Sequence, residues 1–304
     1  PCGTLFPYTT LFRSVEERLG QEAKADVISQ LFGHSELFGE LQYDFGLKYN
    51  RAKGAVAVVS DSLRGRELGK GKWHQVFSRE PDGQYSVEER TIATTEATGE
   101  RAFLSSMTAL LSSNARLLKN EVSSWQTYAF DPRTACTPHS SATMTWQMGQ
   151  RGEDLIPVLY TLKKDVPDEY EKIRKTVKGI LPAAPEFDVE LTADAELKLT
   201  VIENETRYPG KLISEGTARL IGLATALIPE TSTSVVAYEE PENGLHPVRI
   251  QLIADLIKNA QRHHGKQVIV TTHSPLFASY FPIEYLYVCR RTGNETAILP
   301  ISEA

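Results

Sequence analysis

An α/β domain built on a mostly parallel sheet is predicted for this 304-residue chain by three segments in its last third. Ser234-Val235-Val236-Ala237-Tyr238 reads as a short buried strand that passes straight into Glu239 and Glu240. Gln267-Val268-Ile269-Val270-Thr271 is a second, β-branched strand, followed closely by His273. Between them Ile250, Ile253, Leu256, Ile257 and Ala260 mark one amphipathic helix. Strand, helix, strand is the unit of a parallel sheet. Its ligands bind at the carboxyl edge, where both polar ends would emerge.

Adjacent carboxylates at a strand's end can do two jobs. One can hold a magnesium ion through an oxygen ligand, and the next can polarise a water against a phosphate. Buried carboxylates are costly unless paired or bound to metal, so packing alone explains this ending poorly. A solvated acidic turn is the plainer reading. Upstream, Leu220, Leu223, Ala224 and Leu227 recur at helical spacing, with Ser214 placed as an N-cap. Gly216 in the first turn would let a ligand approach the backbone. Free N–H groups and the positive dipole end make such a helix start an anion site.

Together these segments resemble the second half of an ABC-type ATPase head. Ser214-Glu215-Gly216 is similar to the signature motif, Val235 to Glu240 to the Walker B strand with its acids, Glu242 to His246 to the D-loop, and His273 to the switch histidine. The wording is closer to the SMC/RecF-like branch and its small AAA-family relatives than to transporter subunits. The latter usually carry a Gly-Gly-Gln signature and Asp-Glu-Pro-Thr/Ser. The resemblance is strong over about residues 211–280 and weaker over Trp125 to Leu159. It implies a P-loop NTPase-like (ABC-type) core with a mostly parallel sheet, an antiparallel subsheet and an inserted α+β lobe. It also implies ATP and Mg2+ as ligands, and a homodimer with ATP at the interface. Glu239 would hold the metal, Glu240 would orient the attacking water and His273 would sense the γ-phosphate. Ser214, Glu215, Gly216, Asn243 and Leu245 would contact nucleotide, the signature group capping the phosphate held by the other subunit. Glu239 stands where these heads usually have Asp, and the longer carboxylate can still reach magnesium directly or through a water.

A phosphate-cradling Gly-x4-Gly-Lys-Ser/Thr run does not occur in the sequence. Gly71-Lys72 is followed by Trp73, and the position five before Gly71 is Arg66. The stretch Gly65 to Trp73 therefore reads as a basic loop between a strand pair. Thr4 to Ser14 reads as the in-frame translation of a sequencing adapter, so residues 1–14 are set aside as an artefact. The phosphate loop is expected upstream in the gene, and this truncated chain is expected to be inactive alone. No continuous apolar segment and small-residue cleavage site mark a signal peptide.

The expected organisation is an N-terminal part of the core over 15–94, an inserted lobe over 95–205 and the C-terminal half of the core over 206–304. Within these, residues 17–37 read as helical, and Leu41 to Tyr49, Ala55 to Val59 and Tyr85 to Glu89 as strands. Residues 99–125 turn helical, and Trp125 to Pro132 reads as strand and turn. Two helices, 154–163 and 169–180, break near Pro167, and Phe187–Leu191 with Leu197–Val201 form a hairpin.

Composition narrows the function classes. Hydrophobic residues make up 41% and charged ones 24%, as in ordinary globular domains. No apolar run reaches the roughly 18 residues that span a bilayer. Cys2, Cys136 and Cys289 form neither a disulfide framework nor a zinc site, which fits the cytoplasm. A net charge of −6 argues against a surface that coats nucleic acid generally. His263-His264 and the basic runs 64–72 and 172–178 read as solvated faces, and Trp73, Trp125 and Trp146 as packing residues. Three functions stay open: a nucleotide-switched ATPase in DNA repair or phage defence, with DNA or a defence partner; a non-catalytic partner-binding module keeping the fold; and an energy-coupling transporter subunit. The signature and D-loop wording weigh against the last.

Overall fold

The computed structural model describes residues 38–50, 55–67, 73–79, 85–87, 90–92, 120, 123–138, 144–181, 186–203, 205–230, 233–264, 266–292 and 295–303. The expected helix over 17–37 and nearly all of that over 99–125 lie outside these. Two compact units emerge: residues 1–123 with 287–304, and residues 124–286.

In the first unit, β1 (Phe38–Asn50), β2 (Ala55–Glu67), β3 (Trp73–Arg79), β4 (Tyr85–Val87) and β5 (Arg90–Ile92) form an antiparallel sheet in that order. Two features depart from the sequence reading. β2 runs on to Glu67, so Gly65, Arg66 and Glu67 are paired strand residues rather than loop, and Trp73 opens a strand that was not anticipated. The cause is an alternation masked by charge. Leu63 and Phe77 sit opposite one another, both fully buried. Arg64 and Arg66 point outward, their guanidinium carbons 5.3 and 5.5 Å from the Trp73 ring centroid. Stacking on an indole face lets arginine occupy strand positions that composition assigns to a loop. β12 (Tyr287–Thr292) and β13 (Glu295–Pro300) form a separate antiparallel hairpin.

The second unit carries the parallel sheet. β6 (Gln126–Tyr128), β10 (Val235–Glu239) and β11 (Gln267–Thr271) lie in the order β11-β10-β6, all parallel. The helices are α1 (Pro132–Ala135), α2 (Leu155–Asp165), α3 (Pro167–Ile180), α4 (Glu215–Leu227), α5 (Pro247–His264) and α6 (Pro275–Ala278). Pro167 begins α3, where its missing N–H costs nothing, and this sets the break between α2 and α3. β7 (Glu186–Leu191) and β8 (Leu197–Glu203) form the expected hairpin, and β9 (Thr206–Pro209) adds a third strand. All four β9 residues are exposed, so no alternation marks it in the sequence.

α4 is the hub of this unit. All its residues except Glu215 and Arg219 are buried, as befits a helix enclosed on every side. One continuous core joins Leu155, Leu159 and Ile173 from α2 and α3 and Phe187 and Leu199 from β7 and β8. To these it adds Leu220, Leu223 and Leu227 from α4, Tyr238 from β10 and Ile253 from α5. Each such aliphatic side chain contributes roughly 1.5–3 kcal/mol of burial free energy. Residues 124–205 thus share their core with residues 206–286. Trp146, expected to pack, is instead 44% exposed; it and Gln147 form a bend between irregular residues rather than an element that could bury it. No helix among the described residues is long and apolar enough to cross a membrane.

Candidate functional site

The strand β10 is apolar until it ends. Val235, Val236 and Tyr238 are buried, Glu239 is exposed, and Glu240 follows beyond the last pair, Glu239 with Thr271. Glu240 is fixed by its own backbone, its N–H donating to Thr271 O at 2.9 Å. Its φ of +45° is one that only glycine adopts without cost. Such strain at a non-glycine persists where the surroundings enforce it, and it concentrates at functional sites. Asn243 closes the following turn, its N–H donating to Glu240 O at 3.0 Å and its Nδ2 to Glu240 Oε2 at 3.2 Å.

His273 reaches the same edge from β11. Its Nε2 lies 3.8 Å from Glu240 Oε1, and its side chain is 95% exposed. Among the described residues only Glu240 approaches the imidazole, which is presented outward next to the second acid. The expected meeting of Glu240 and His273 is therefore found, with Glu239 exposed at the same strand end.

Ser214 is the N-cap of α4, its hydroxyl accepting from Thr217 N at 3.2 Å. Gly216 is tightly enclosed. A Cβ there would collide with the Gly244 carbonyl oxygen and meet Leu245 Cδ2 at 3.1 Å. Gly244 has φ +78°, a left-handed conformation that suits glycine. The missing side chain at 216 thus admits the turn 240–245. The candidate residues fall into two joined groups. Glu239, Glu240, Asn243 and His273 sit at the sheet edge; Ser214, Glu215 and Gly216 sit at a helix tip against Gly244 and Leu245.

Behind the edge lies an aromatic and arginine scaffold that the sequence reading missed. Tyr238 lies 5.8 Å from Tyr128 and 6.2 Å from Phe130, ring to ring. Arg219 Nη1 donates to Phe130 O at 2.9 Å, and the Tyr238 hydroxyl donates to Arg219 O at 3.4 Å. Arg219, inside the signature-like run, thereby ties α4 to the end of β6. Asp131 follows at that end. The Thr134 hydroxyl, the Arg133 N–H and the Arg151 guanidinium hold its carboxyl below the usual range, against the opposing effect of burial. A second missed link joins Glu242 to Thr272, whose hydroxyl donates to Glu242 Oε1. A third carboxylate in Glu-Glu-Pro-Glu was the available signal.

The donors suit a hard cation. Glu239 offers an exposed carboxylate at a strand end. Among the described residues no three potential metal ligands cluster. A single carboxylate with phosphate oxygens and waters is the usual way magnesium is held beside a nucleotide, so these residues fit it.

Parallel strands, a helix start packed on the turn that follows the second acid, and an outward histidine form one edge of an α/β domain. The chain belongs to the family described as "AAA domain, putative AbiEii toxin, Type IV TA system", matched over residues 70–279. It is 30% identical over 89 residues to the energy-coupling factor transporter ATP-binding protein EcfA2 of Clostridium perfringens, covering 29% of this chain and 30% of that protein. EcfA3 of the same species matches equally, so the chain spans about a third of the length of these relatives. Among solved structures it is similar to the SMC head domain from Thermotoga maritima, with TM-score 0.38, 12% identity, and coverage of 80% of this chain and 74% of that one. An SMC head bound to the C-winged helix domain of ScpA gives TM-score 0.46 and 11% identity over 86% and 76%. The family match carries the assignment, to an AAA domain.

Proposed function

We propose that the full-length gene product hydrolyses ATP and that nucleotide gates the association of two heads. The observation that carries this is the pairing of Glu240 and His273 at 3.8 Å across adjacent parallel strands, beside an exposed Glu239. Glu240 orients and polarises the attacking water, a role its half-exposed carboxylate supports. His273 faces the γ-phosphate, where an outward imidazole can donate a hydrogen bond. Glu239 supplies an oxygen ligand to magnesium, which when bound neutralises phosphate charge. Ser214, Glu215 and Gly216 cap the nucleotide of the opposite head, with Asn243 and Leu245 in the intervening turn. Phosphoryl transfer needs positioning and charge neutralisation more than covalent chemistry, and this arrangement supplies both.

The process served is read as DNA repair or phage defence, with DNA or a defence protein as partner. The family's description as a toxin of a type IV toxin–antitoxin system supports the defence branch. The alternative, a partner-binding module that keeps the fold without the reaction, is disfavoured by two intact acids at the end of β10, the second of them 3.8 Å from His273. The test is Glu240→Gln in the full-length gene product, followed by light scattering with and without ATP. A dimer that persists only with ATP is expected; an unchanged monomer–dimer ratio sinks the gating reading.

A further inference from the structure

We infer that Glu242 is a positioning residue for the proposed reaction, joining the turn after the second acid to the segment that carries His273. This rests on the ATPase reading for its purpose, though not for its geometry. Glu242 is only 8% exposed. Its Oε1 accepts the Thr272 hydroxyl, and that hydroxyl oxygen in turn accepts the Ser274 N–H at 2.9 Å. A threonine hydroxyl has one proton to give. With that proton committed to Glu242, the oxygen's lone pairs face Ser274, so the chain of bonds has one direction. Ser274 caps α6, accepting from Phe277 N at 3.2 Å, and Phe277 is fully buried.

His273 is therefore strung between two residues that are both tied down, while its own side chain, among the described residues, nears only Glu240, at 3.8 Å. The other end of the tie lies in the turn that fixes Glu240, through Asn243 N to Glu240 O and Leu245 N to Glu242 O at 3.2 Å. One carboxylate thus sets the spacing between the two groups proposed to meet the γ-phosphate and the water. Glu242 Oε2 is buried with no partner among the described residues. A buried acceptor left unmade is expensive. A packing role would be served better by Leu or Met, so the carboxylate is retained for the bond its other oxygen makes.

The test uses Glu242→Ala, Glu242→Gln, Thr272→Val and the Glu242→Ala/Thr272→Val pair, in the 304-residue chain. The readouts are Ser274 amide exchange and the His273 imidazole NMR signals. Glu242→Ala and Thr272→Val are each expected to speed Ser274 exchange about tenfold, as for loss of one hydrogen bond, and to move the His273 signals. The pair should exceed neither single change by more than about twofold. Glu242→Gln keeps an acceptor oxygen and should stay near wild type. Additive effects, or His273 signals unmoved by Thr272→Val, overturn the inference. ATP turnover of the wild-type full-length product is measured separately. Its absence would defeat the ATPase reading while leaving the Glu242–His273 coupling standing or falling on the NMR result.

Discussion

His273 Nε2 and Glu240 Oε1 lie 3.8 Å apart, each on the residue or residues just past a parallel strand, the imidazole almost wholly exposed and the carboxylate 40% exposed. Neither position is explained by packing, because neither side chain is covered. If His273 stabilises charge that develops on the γ-phosphate, its loss should act on the transition state more than on binding. His273→Ala is expected to lower ATP turnover of the full-length product by about 10²–10³-fold. Nucleotide affinity should stay within about threefold. Paired measurements of kcat and Kd check this; a fall in affinity that matches the fall in turnover would make His273 a binding group only.

Gly216 and Gly179 predict opposite signs for the same substitution. A methyl at 216 would overlap the backbone oxygen of Gly244, which cannot rotate away. Gly216→Ala is expected to cost about 1–3 kcal/mol as an overpacking change, and to shift the turn carrying Asn243. At Gly179, in the last turn of α3, nothing lies within 4 Å of an added Cβ. Gly179→Ala should therefore stabilise by roughly 0.5–1 kcal/mol through helix propensity and reduced unfolded-state entropy. Urea unfolding of both variants separates the cases. A neutral Gly216→Ala would mean that the helix tip and the turn are not in register contact.

The N-cap at Ser214 gives a smaller effect of a distinct kind. Ser214→Ala removes the bond from Thr217 N and should cost about 1 kcal/mol of stability. Ser214→Asp retains a capping oxygen and should restore most of that stability. If the proposed trans contact to the γ-phosphate is real, the same Ser214→Asp places a negative charge against it and should abolish ATP-dependent association. Unfolding midpoints and light scattering read the two effects separately.

What could be read from the chain alone follows from where its signals are local. Strands ending in Glu239-Glu240 and before His273, the capped start of α4, and the helix pair divided at Pro167 each depend on neighbours in sequence. The structure shows all of them. β3 and the far end of β2 were hidden because Arg64, Arg66 and Trp73 cover one another across strands, a pairing that periodicity cannot register. β9 was hidden because it buries nothing. Gly216 was legible as the first-turn glycine of α4, without its tertiary neighbour. Its constraint is Gly244, 28 residues on in sequence, and only the fold brings the two together. The same holds for Thr272 with Glu242 and for Arg219 with Phe130. Contacts of this range fix the geometry of the site, whereas its residue types are written in short motifs.

Lys266 offers a prediction with a definite sign. It is 3% exposed, between α5 and β11, and its Nζ donates to Pro229 O at 2.8 Å and Ala226 O at 3.3 Å, at the C-terminal end of α4. Desolvation pushes its pKa down from 10.5 to about 8, with the buried Glu169 opposing. Between those two values the unfolded chain binds more protons than the folded one, so this group's contribution to stability rises as pH rises from about 8 to 10.5. Below about 8 the folded protein carries the whole cost of a charged ammonium in an apolar setting. The difference is at most about 3 kcal/mol, at roughly 1.4 kcal/mol per pKa unit. The buried phenols of Tyr128 and Tyr238 have raised pKa values and act oppositely above pH 10, which obscures the wild-type profile taken alone. Comparison with Lys266→Met cancels them. Relative to wild type, Lys266→Met should be more stable at pH 7 than at pH 10, with the gap closing or reversing across that window. Denaturation midpoints at half-unit pH steps check this. A gap that stays constant from pH 7 to 10.5 would show that Lys266 keeps its proton throughout, and that the two carbonyls at the end of α4 hold it in the charged form.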